Sequence, residues 1–312
     1  MNYTNCVRLV VTGGCGFIGS NLVEELVKRG HDVVVVDDLS LGTRENVRGL
    51  DVELYTSISD FFKSDGVKGV DAVFHLGMPS SSPMYRENPY LVGKTINEAI
   101  EVFESAKKYN FKVVYASTSS IYNGNPVPWR EDMPIHVTDY YTECRYAIER
   151  LAKLYYDLYG VKVIGLRLFS VYDPKEEHRG RYANVVSQML WSALRGEPFV
   201  IYGDGSQTRD FVYVSDVVEA FIKAMESDVD YGVFNVGFGK SYSFNEIAKV
   251  ISDALGRELR LVYKPNPIKN YVHHTLADTR RAEEVLGFKA KTPLMEGVKR
   301  LIDYYERIGV TT

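Results

Sequence analysis

The stretch Val7-Arg8-Leu9-Val10-Val11-Thr12-Gly13-Gly14-Cys15-Gly16-Phe17-Ile18-Gly19 decides the fold. Its first six residues are mainly aliphatic and β-branched and predict a strand, and the glycine-rich turn that follows leads into a helix expected to begin near Gly19 and Ser20. Glycine at 13 permits a tight turn, Gly16 lets the backbone approach a pyrophosphate, and Gly19 lets the helix pack closely on the sheet. A helix start presents free N–H groups and the positive end of its dipole, so an anion is favoured there without a basic side chain. The spacing is G-x-x-G-x-x-G rather than G-x-G-x-x-G.

Working outward, a second strand over 31–36 ends at Val36-Asp37-Asp38, roughly 20 residues after the loop, where a carboxylate can accept hydrogen bonds from an adenosine ribose. The same carboxylate would repel a 2′-phosphate, and Arg44 lies several residues beyond it, so the cofactor expected is NAD rather than NADP. A glycine turn and an acidic strand end can each be purely structural, but strand, loop, helix, strand and acid in this order argue for a dinucleotide site.

Further buried-strand patterns occur at 71–76, 112–117 and 161–168, and helical periods at 21–29, 94–108 and 142–159, with Gly30 and Gly160 at two helix ends. The fold class that follows is α/β: a Rossmann-type doubly wound parallel sheet with a smaller C-terminal α/β substrate lobe. Residues 1–169 are expected to form the NAD-binding domain, with a later segment, about 208–240, returning to it. Residues 170–312, broken by Pro174, Gly180, Pro198, Pro265 and Pro267, should mainly form the substrate lobe.

The 312 residues suffice for a sizeable core, and 45% hydrophobic and 25% charged residues are ordinary for a globular chain. A net charge of -4 without any Lys/Arg run argues against nucleic acid or a polybasic membrane surface and points to a small-molecule partner. No apolar stretch approaches the ~18 residues that span a bilayer and no signal pattern opens the chain, so the expected location is cytoplasmic. Cys6, Cys15 and Cys144 lack metal-ligand spacing, and reduced thiols without a metal are expected.

Two groups of residues carry candidate chemistry. Strand 112–117 runs into Thr118-Ser119-Ser120, which places hydroxyls at the sheet edge where open α/β folds bind ligands, although such a cluster also suits a polar strand end. Tyr141 and Arg145 stand four apart at a helix start and share a face. A tyrosine titrates near ~10, and working as a base near neutrality requires about 4 kcal/mol of preferential phenolate stabilisation, which a fixed guanidinium and an oxidised nicotinamide could supply. An exposed i,i+4 pair is the alternative.

These pieces, with Val70-Asp71-Ala72-Val73-Phe74-His75-Leu76, Leu166-Arg167-Leu168-Phe169-Ser170-Val171-Tyr172 and the run from Gly203 to Asp216, resemble the extended short-chain dehydrogenase/reductase family along essentially the whole chain. The likeness is to its NAD-dependent nucleotide-sugar epimerases, dehydratases and decarboxylases. The resemblance implies Tyr141 as acid/base, with Thr118 and Arg145 beside it. It implies substrate contacts from Thr118, Ser119, Tyr141 and Ser170, an Arg209 clamp on the nucleotide diphosphate, and Asp278 near the nucleotide. Arg209 also reads as a solvent-facing strand-end arginine, and Asp278 as an ordinary helix cap. Implied cofactor contacts are Gly13, Gly16, Phe17, Ile18, Gly19, Asp37, Asp38, Leu39, Ser40, Ser57, Ile58, Leu76, Tyr141 and Arg145.

The chain departs from the family pattern at Arg145, where lysine is usual, at Thr95 and Ser170, where asparagines are usual, at Asn123 for a glycine, and at Ile268 for an arginine, with Lys269 alongside. A planar guanidinium keeps the charge of an ammonium but not its shape. Dehydratases of the family carry an acid pair after the threonine, and decarboxylases a carboxylate at the second of those positions. Here both are serines, which cannot shuttle protons. The expectation is therefore a 4-epimerase of a UDP-hexose, with a decarboxylase- or reductase-like enzyme and a catalytically impaired NAD-bound sensor as alternatives. The resemblance also implies a homodimer through the helices at 94–108 and 142–159.

Overall fold

The structure is a computed structural model that describes residues 6–309. Seven parallel strands form the main sheet: β1 (Arg8–Thr12), β2 (Asp32–Val36), β3 (Val52–Tyr55), β4 (Ala72–His75), β5 (Lys112–Thr118), β6 (Val163–Leu168) and, later in the chain, β10 (Tyr231–Val236). The order β10-β6-β5-β4-β1-β2-β3 is the doubly wound arrangement extended by one strand on β6. Strands β7 (Ser170–Tyr172), β9 (Thr208–Tyr213) and β11 (Ser241–Ser243) make a three-stranded sheet, and β8 (Phe199–Tyr202) pairs with β12 (Leu261–Lys264). The helices are α1 (Phe17–Lys28), α2 (Ile58–Lys63), α3 (Ser82–Glu87), α4 (Leu91–Tyr109), α5 (Tyr140–Tyr159), α6 (Val185–Leu194), α7 (Val214–Glu226), α8 (Phe244–Leu255), α9 (Arg280–Leu286) and α10 (Leu294–Arg307). None of the described helices is long and apolar enough to cross a membrane.

The unbroken valine runs are explained by burial on both sheet faces. Leu9, Val11, Val33 and Val35 join α1 and α7 in one core, while Val10, Val34, Val36 and Val113 join α4 and α5 in the other. Two strands of this sheet are missing from the sequence reading: β10, which lies in the segment expected only to return to this domain, and β3, a half-exposed edge of four residues with Glu53 in its middle. Helix α1 starts at Phe17, earlier than expected, because Gly16 is the last extended residue (φ -77, ψ 178).

The sheet and the glycine loop meet through very close backbone contact. A Cβ on Gly19 would lie 2.0 Å from the Gly13 carbonyl oxygen, and one on Gly13, at φ +71, would lie 2.7 Å from the Gly77 nitrogen. The Thr12 hydroxyl oxygen accepts the Leu76 and Gly77 N–H groups at 3.1 and 3.0 Å and sits 2.8 Å from His75 Nδ1. With two donors already on that oxygen, its own proton goes to Nδ1, which leaves His75 neutral with its proton on Nε2. Burial, reinforced by Arg145, pushes His75 down to about 3.

Behind the end of β5 runs a buried polar chain. Ser117 Oγ donates to Glu149 Oε1 at 2.5 Å, and Arg167 on β6 forks onto both Glu149 oxygens at 3.0 and 2.7 Å. Arg167 also donates to the Tyr122 hydroxyl at 2.6 Å, which donates to Asn235 Oδ1 at 2.8 Å. Glu149 thereby fixes α5 against the end of β5.

Two outcomes are expected. Glu149→Ala leaves Arg167 buried without its partner and should lower unfolding free energy by about 3–5 kcal/mol in denaturant titrations. His75 is neutral when folded and protonated when unfolded below pH ~6.5, so the unfolded state binds more protons there and stability falls on acidification, by up to about 1.4 kcal/mol per pH unit for this group, until its folded value near 3 is reached. Melting curves of His75→Asn between pH 7 and 4, expressed relative to the parent, should show an acid limb shallower by one proton.

Candidate functional site

A cavity of about 650 Å³ opens at the C-terminal ends of β1, β4, β5 and β6, where doubly wound sheets bind ligands. Its dinucleotide end is built by the glycine loop. Gly16 begins α1 without a side-chain cap, no acid lies in the first turn, and the N–H groups of Phe17, Ile18 and Gly19 have no acceptor among the described residues. This is an anion cradle into which a dinucleotide's diphosphate fits. Gly13, Gly16, Phe17, Ile18 and Gly19 all line it, as do Ser57, Ile58 and Leu76.

Both acids after β2 line the same end but are engaged differently. The Asp37 carboxylate accepts the Cys15 and Leu39 N–H groups at 2.9 and 2.8 Å, so it clips the glycine loop to β2, and burial holds its pKa above the usual carboxylate range. Leu39 itself, at φ 60, does not line the cavity and contributes this backbone contact. Asp38 accepts from the Ser40 amide and hydroxyl at 3.0 and 2.6 Å and from Lys94 at 2.9 Å. Burial works to raise the Asp38 carboxyl, but Ser40 and Lys94 outweigh it and hold it low. Lys94 escaped the sequence reading because it arrives from α4, 56 residues away.

At the opposite wall Thr118 ends β5 and caps the turn Ser119–Tyr122, its oxygen accepting the Ser120 N–H at 3.2 Å. Tyr141 stands in the first turn of α5, which begins with a reciprocal Asp139–Thr142 capping box. The Tyr141 ring lies 5.6 Å from that of Tyr85, and the Arg145 guanidinium is 5.2 Å from its centroid. Arg145 is buried and forked: one terminal nitrogen donates to the Pro79 carbonyl at 2.9 Å, the other to the Ala116 carbonyl at 3.4 Å and the Met78 sulfur. Its Nε has no partner and it pairs with no carboxylate among the described residues. Arginine at this place is accommodated by acceptors on the loop after β4 and near the end of β5. Thr95, in place of the family asparagine, is buried against the Tyr85 hydroxyl at 3.3 Å.

Across the cavity Ser170 lines the wall, and Arg209 projects from β9 between the rings of Phe244 and Tyr271, at 5.6 and 5.3 Å. Its N–H groups reach the Thr208 and His273 carbonyls at 2.8 and 3.2 Å, and burial without a carboxylate partner lowers its pKa, so an anion is the natural complement. Asp278 is not brought into the cavity. Arg280, two residues on, holds its carboxylate through contacts down to 2.6 Å, and its backbone N–H donates to the Trp129 carbonyl at 3.0 Å. Asn123 bonds the Asn270 carbonyl at 3.2 Å, and Ile268 and Lys269 border a separate groove. The sequence reading also missed Arg179, which lines the cavity from the irregular stretch after β7, where no periodic pattern marked it. Cys15 and Cys144 are buried free thiols, and no group of three or more His, Cys, Asp or Glu side chains among the described residues is arranged for a metal.

Residues 9–237 match the model of the NAD dependent epimerase/dehydratase family. The chain is 34% identical to UDP-glucuronic acid decarboxylase 1 of Arabidopsis thaliana, over 97% of this chain and 71% of that one. It superposes on the UDP-N-acetylglucosamine 4-epimerase of Methanobrevibacter ruminantium, solved with UDP-N-acetylmuramic acid, at TM-score 0.91 and 30% identity, covering 97% of this chain and 99% of that one. The UDP-glucose 4-epimerase of Thermotoga maritima, solved with UDP-glucose, gives TM-score 0.89 and 32% identity over 97% and 99% of the two chains. A nucleotide-sized cleft on a doubly wound sheet, a match over most of the chain and neighbours of one fold agree, and the protein belongs to the NAD-dependent epimerase/dehydratase family.

Proposed function

We propose that this protein is a nucleotide-sugar 4-epimerase acting on a UDP-hexose. The observation that carries the reading is the absence of carboxylates among the described residues at the reacting end of the cavity. The acids that line it are Asp37, Asp38 and Glu98, gathered with Lys94 at the dinucleotide end, whereas Thr118, Ser119, Ser120 and Tyr141 face the other wall. Expelling water from a keto-sugar needs a further group able to carry a proton, and a serine hydroxyl is not one. Epimerisation needs none beyond the residue that takes and returns the sugar hydroxyl proton.

Bound NAD supplies the hydride acceptor and donor for such a reaction. The chain's own contributions follow from its geometry. Tyr141 accepts the hydroxyl proton as the sugar is oxidised and gives it back on return, with the Arg145 guanidinium held beside its ring. Thr118, whose oxygen is oriented by the Ser120 N–H, can donate its own proton to a sugar oxygen. Arg209 holds the nucleotide diphosphate bidentately while the keto-sugar turns to present its other face.

A decarboxylase-like activity on a UDP-uronate is the second reading, motivated by the 34% identical relative and its local likeness around His75. A catalytically impaired NAD-bound sensor is the third. Purified protein incubated with UDP-glucose, UDP-galactose and their N-acetyl forms should interconvert a 4-epimer pair, and Tyr141→Phe should reduce the rate by about 10²–10⁴-fold while NAD stays bound. Carbon dioxide release from UDP-glucuronate would transfer the assignment to the decarboxylases. NAD binding without turnover of any nucleotide sugar would leave the sensor.

The same reading includes a homodimer. Leu154, Leu158 and Tyr159 near the end of α5 are at least half exposed, an apolar patch suited to burial against a second copy. Sedimentation should give twice the 35.4 kDa chain mass, and Leu158→Glu should give the monomer.

A further inference from the structure

The segment after β7 crosses the start of α1 and is tied down at several points. Asn21 on α1 bridges the Phe17 carbonyl, at 2.7 Å, and Asp173 Oδ2, at 2.8 Å. Farther along the segment, the Arg179 guanidinium lies 4.2 Å from the ring centroid of Phe17, the first residue of α1. Its side chain is only 9% exposed, yet it lines the cavity.

Two acceptors fix the guanidinium. Glu176 takes an N–H at 2.6 Å and Ser80, after β4, another at 3.0 Å. Glu176 is fully buried and itself anchored by the Asn184 N–H at 2.9 Å and the Ser187 hydroxyl at 2.5 Å. Of the five guanidinium N–H groups, those two are satisfied, and the remainder have no acceptor among the described residues. A forked cation with free donors is therefore held rigidly beside the uncapped start of α1, where Phe17, Ile18 and Gly19 also present free N–H groups.

We infer that Arg179 is a cofactor-binding residue, donating to the diphosphate of NAD from the side opposite the glycine loop, with Glu176 as its positioning residue. The inference rests on the NAD-dependent reading of the site. It also gives a physical reason for a cofactor that stays in place through a cycle: the helix start alone offers N–H groups and a partial charge, whereas the segment after β7 adds the free N–H donors of a fixed guanidinium from a different part of the chain.

The test compares ligands that contain or lack the diphosphate. NAD release from the holoprotein is followed by chase and gel filtration, and ADP, adenosine and UDP are titrated calorimetrically into NAD-stripped protein. For Arg179→Met, NAD release should accelerate and ADP affinity fall by roughly ten- to a hundredfold, the usual effect of losing charge-assisted hydrogen bonds, while adenosine and UDP bind as before. Glu176→Gln should shift ADP in the same direction by less. Should burial of an unpaired Glu176 prevent Arg179→Met from folding, Arg179→Lys retains a cation for it and should still weaken ADP relative to adenosine. Unchanged ADP affinity, equal losses for ADP and adenosine, or a loss confined to UDP would each overturn the inference. Failure of the unsubstituted protein to bind either NAD or ADP would instead overturn the cofactor reading itself.

Discussion

Everything at the ligand-binding edge depends on the contact between the turns that follow β1 and β4. Gly13 and Gly77 touch backbone to backbone with no room for a side chain on either, and the Thr12 hydroxyl locks the arrangement by taking the Leu76 and Gly77 N–H groups. One side of this contact aims α1 at the cofactor. The other carries the chain on to Met78 and Pro79, whose sulfur and carbonyl hold Arg145, and Arg145 in turn sits under Tyr141. A methyl group at either glycine would displace both the glycine loop and the backbone that holds Arg145 beside Tyr141, although the two lie on opposite walls of the cavity.

The charges in the cavity are sorted by position. Acids occupy the dinucleotide end, where Asp37 serves the loop backbone and Asp38 is matched by Lys94. Arg145 and Arg209 face the rest of the cavity with carbonyls rather than carboxylates as partners. Buried guanidinium groups held by carbonyl dipoles keep most of their field for an incoming anion, whereas an ion pair would spend it internally. The neutral side chains of Thr118, Ser119 and Ser120 line the same cavity.

How much of this was legible in the sequence follows from the range of the forces involved. Strands β1, β2, β4, β5 and β6 were legible because burial on both faces writes an unbroken apolar run, and the glycine loop because its spacing encodes backbone approach. The edge strand β3 was not, since its outer side asks for no such pattern. Tyr141, Thr118, Ser119, Ser170 and Arg209 were found through motifs and do line one cavity. Asp278, named by the same route, does not line it, and no motif reveals that a neighbouring arginine will hold the carboxylate. Lys94 and Arg179 act on partners 56 and 99 residues away, a separation at which local pattern carries no information.

The placement of β10 has a consequence for biosynthesis. This strand completes the large sheet by pairing with β6, yet it leaves the ribosome some 60 residues later, after the chain has built most of a second lobe. Until then β6 presents an open parallel edge with unsatisfied backbone groups, the kind of surface that invites pairing with another nascent chain. The long interval between the two strands makes sheet closure a late event of high contact order. The main sheet is therefore finished only when the polypeptide is three-quarters made, and growth conditions that slow translation through that interval prolong exposure of its open β6 edge.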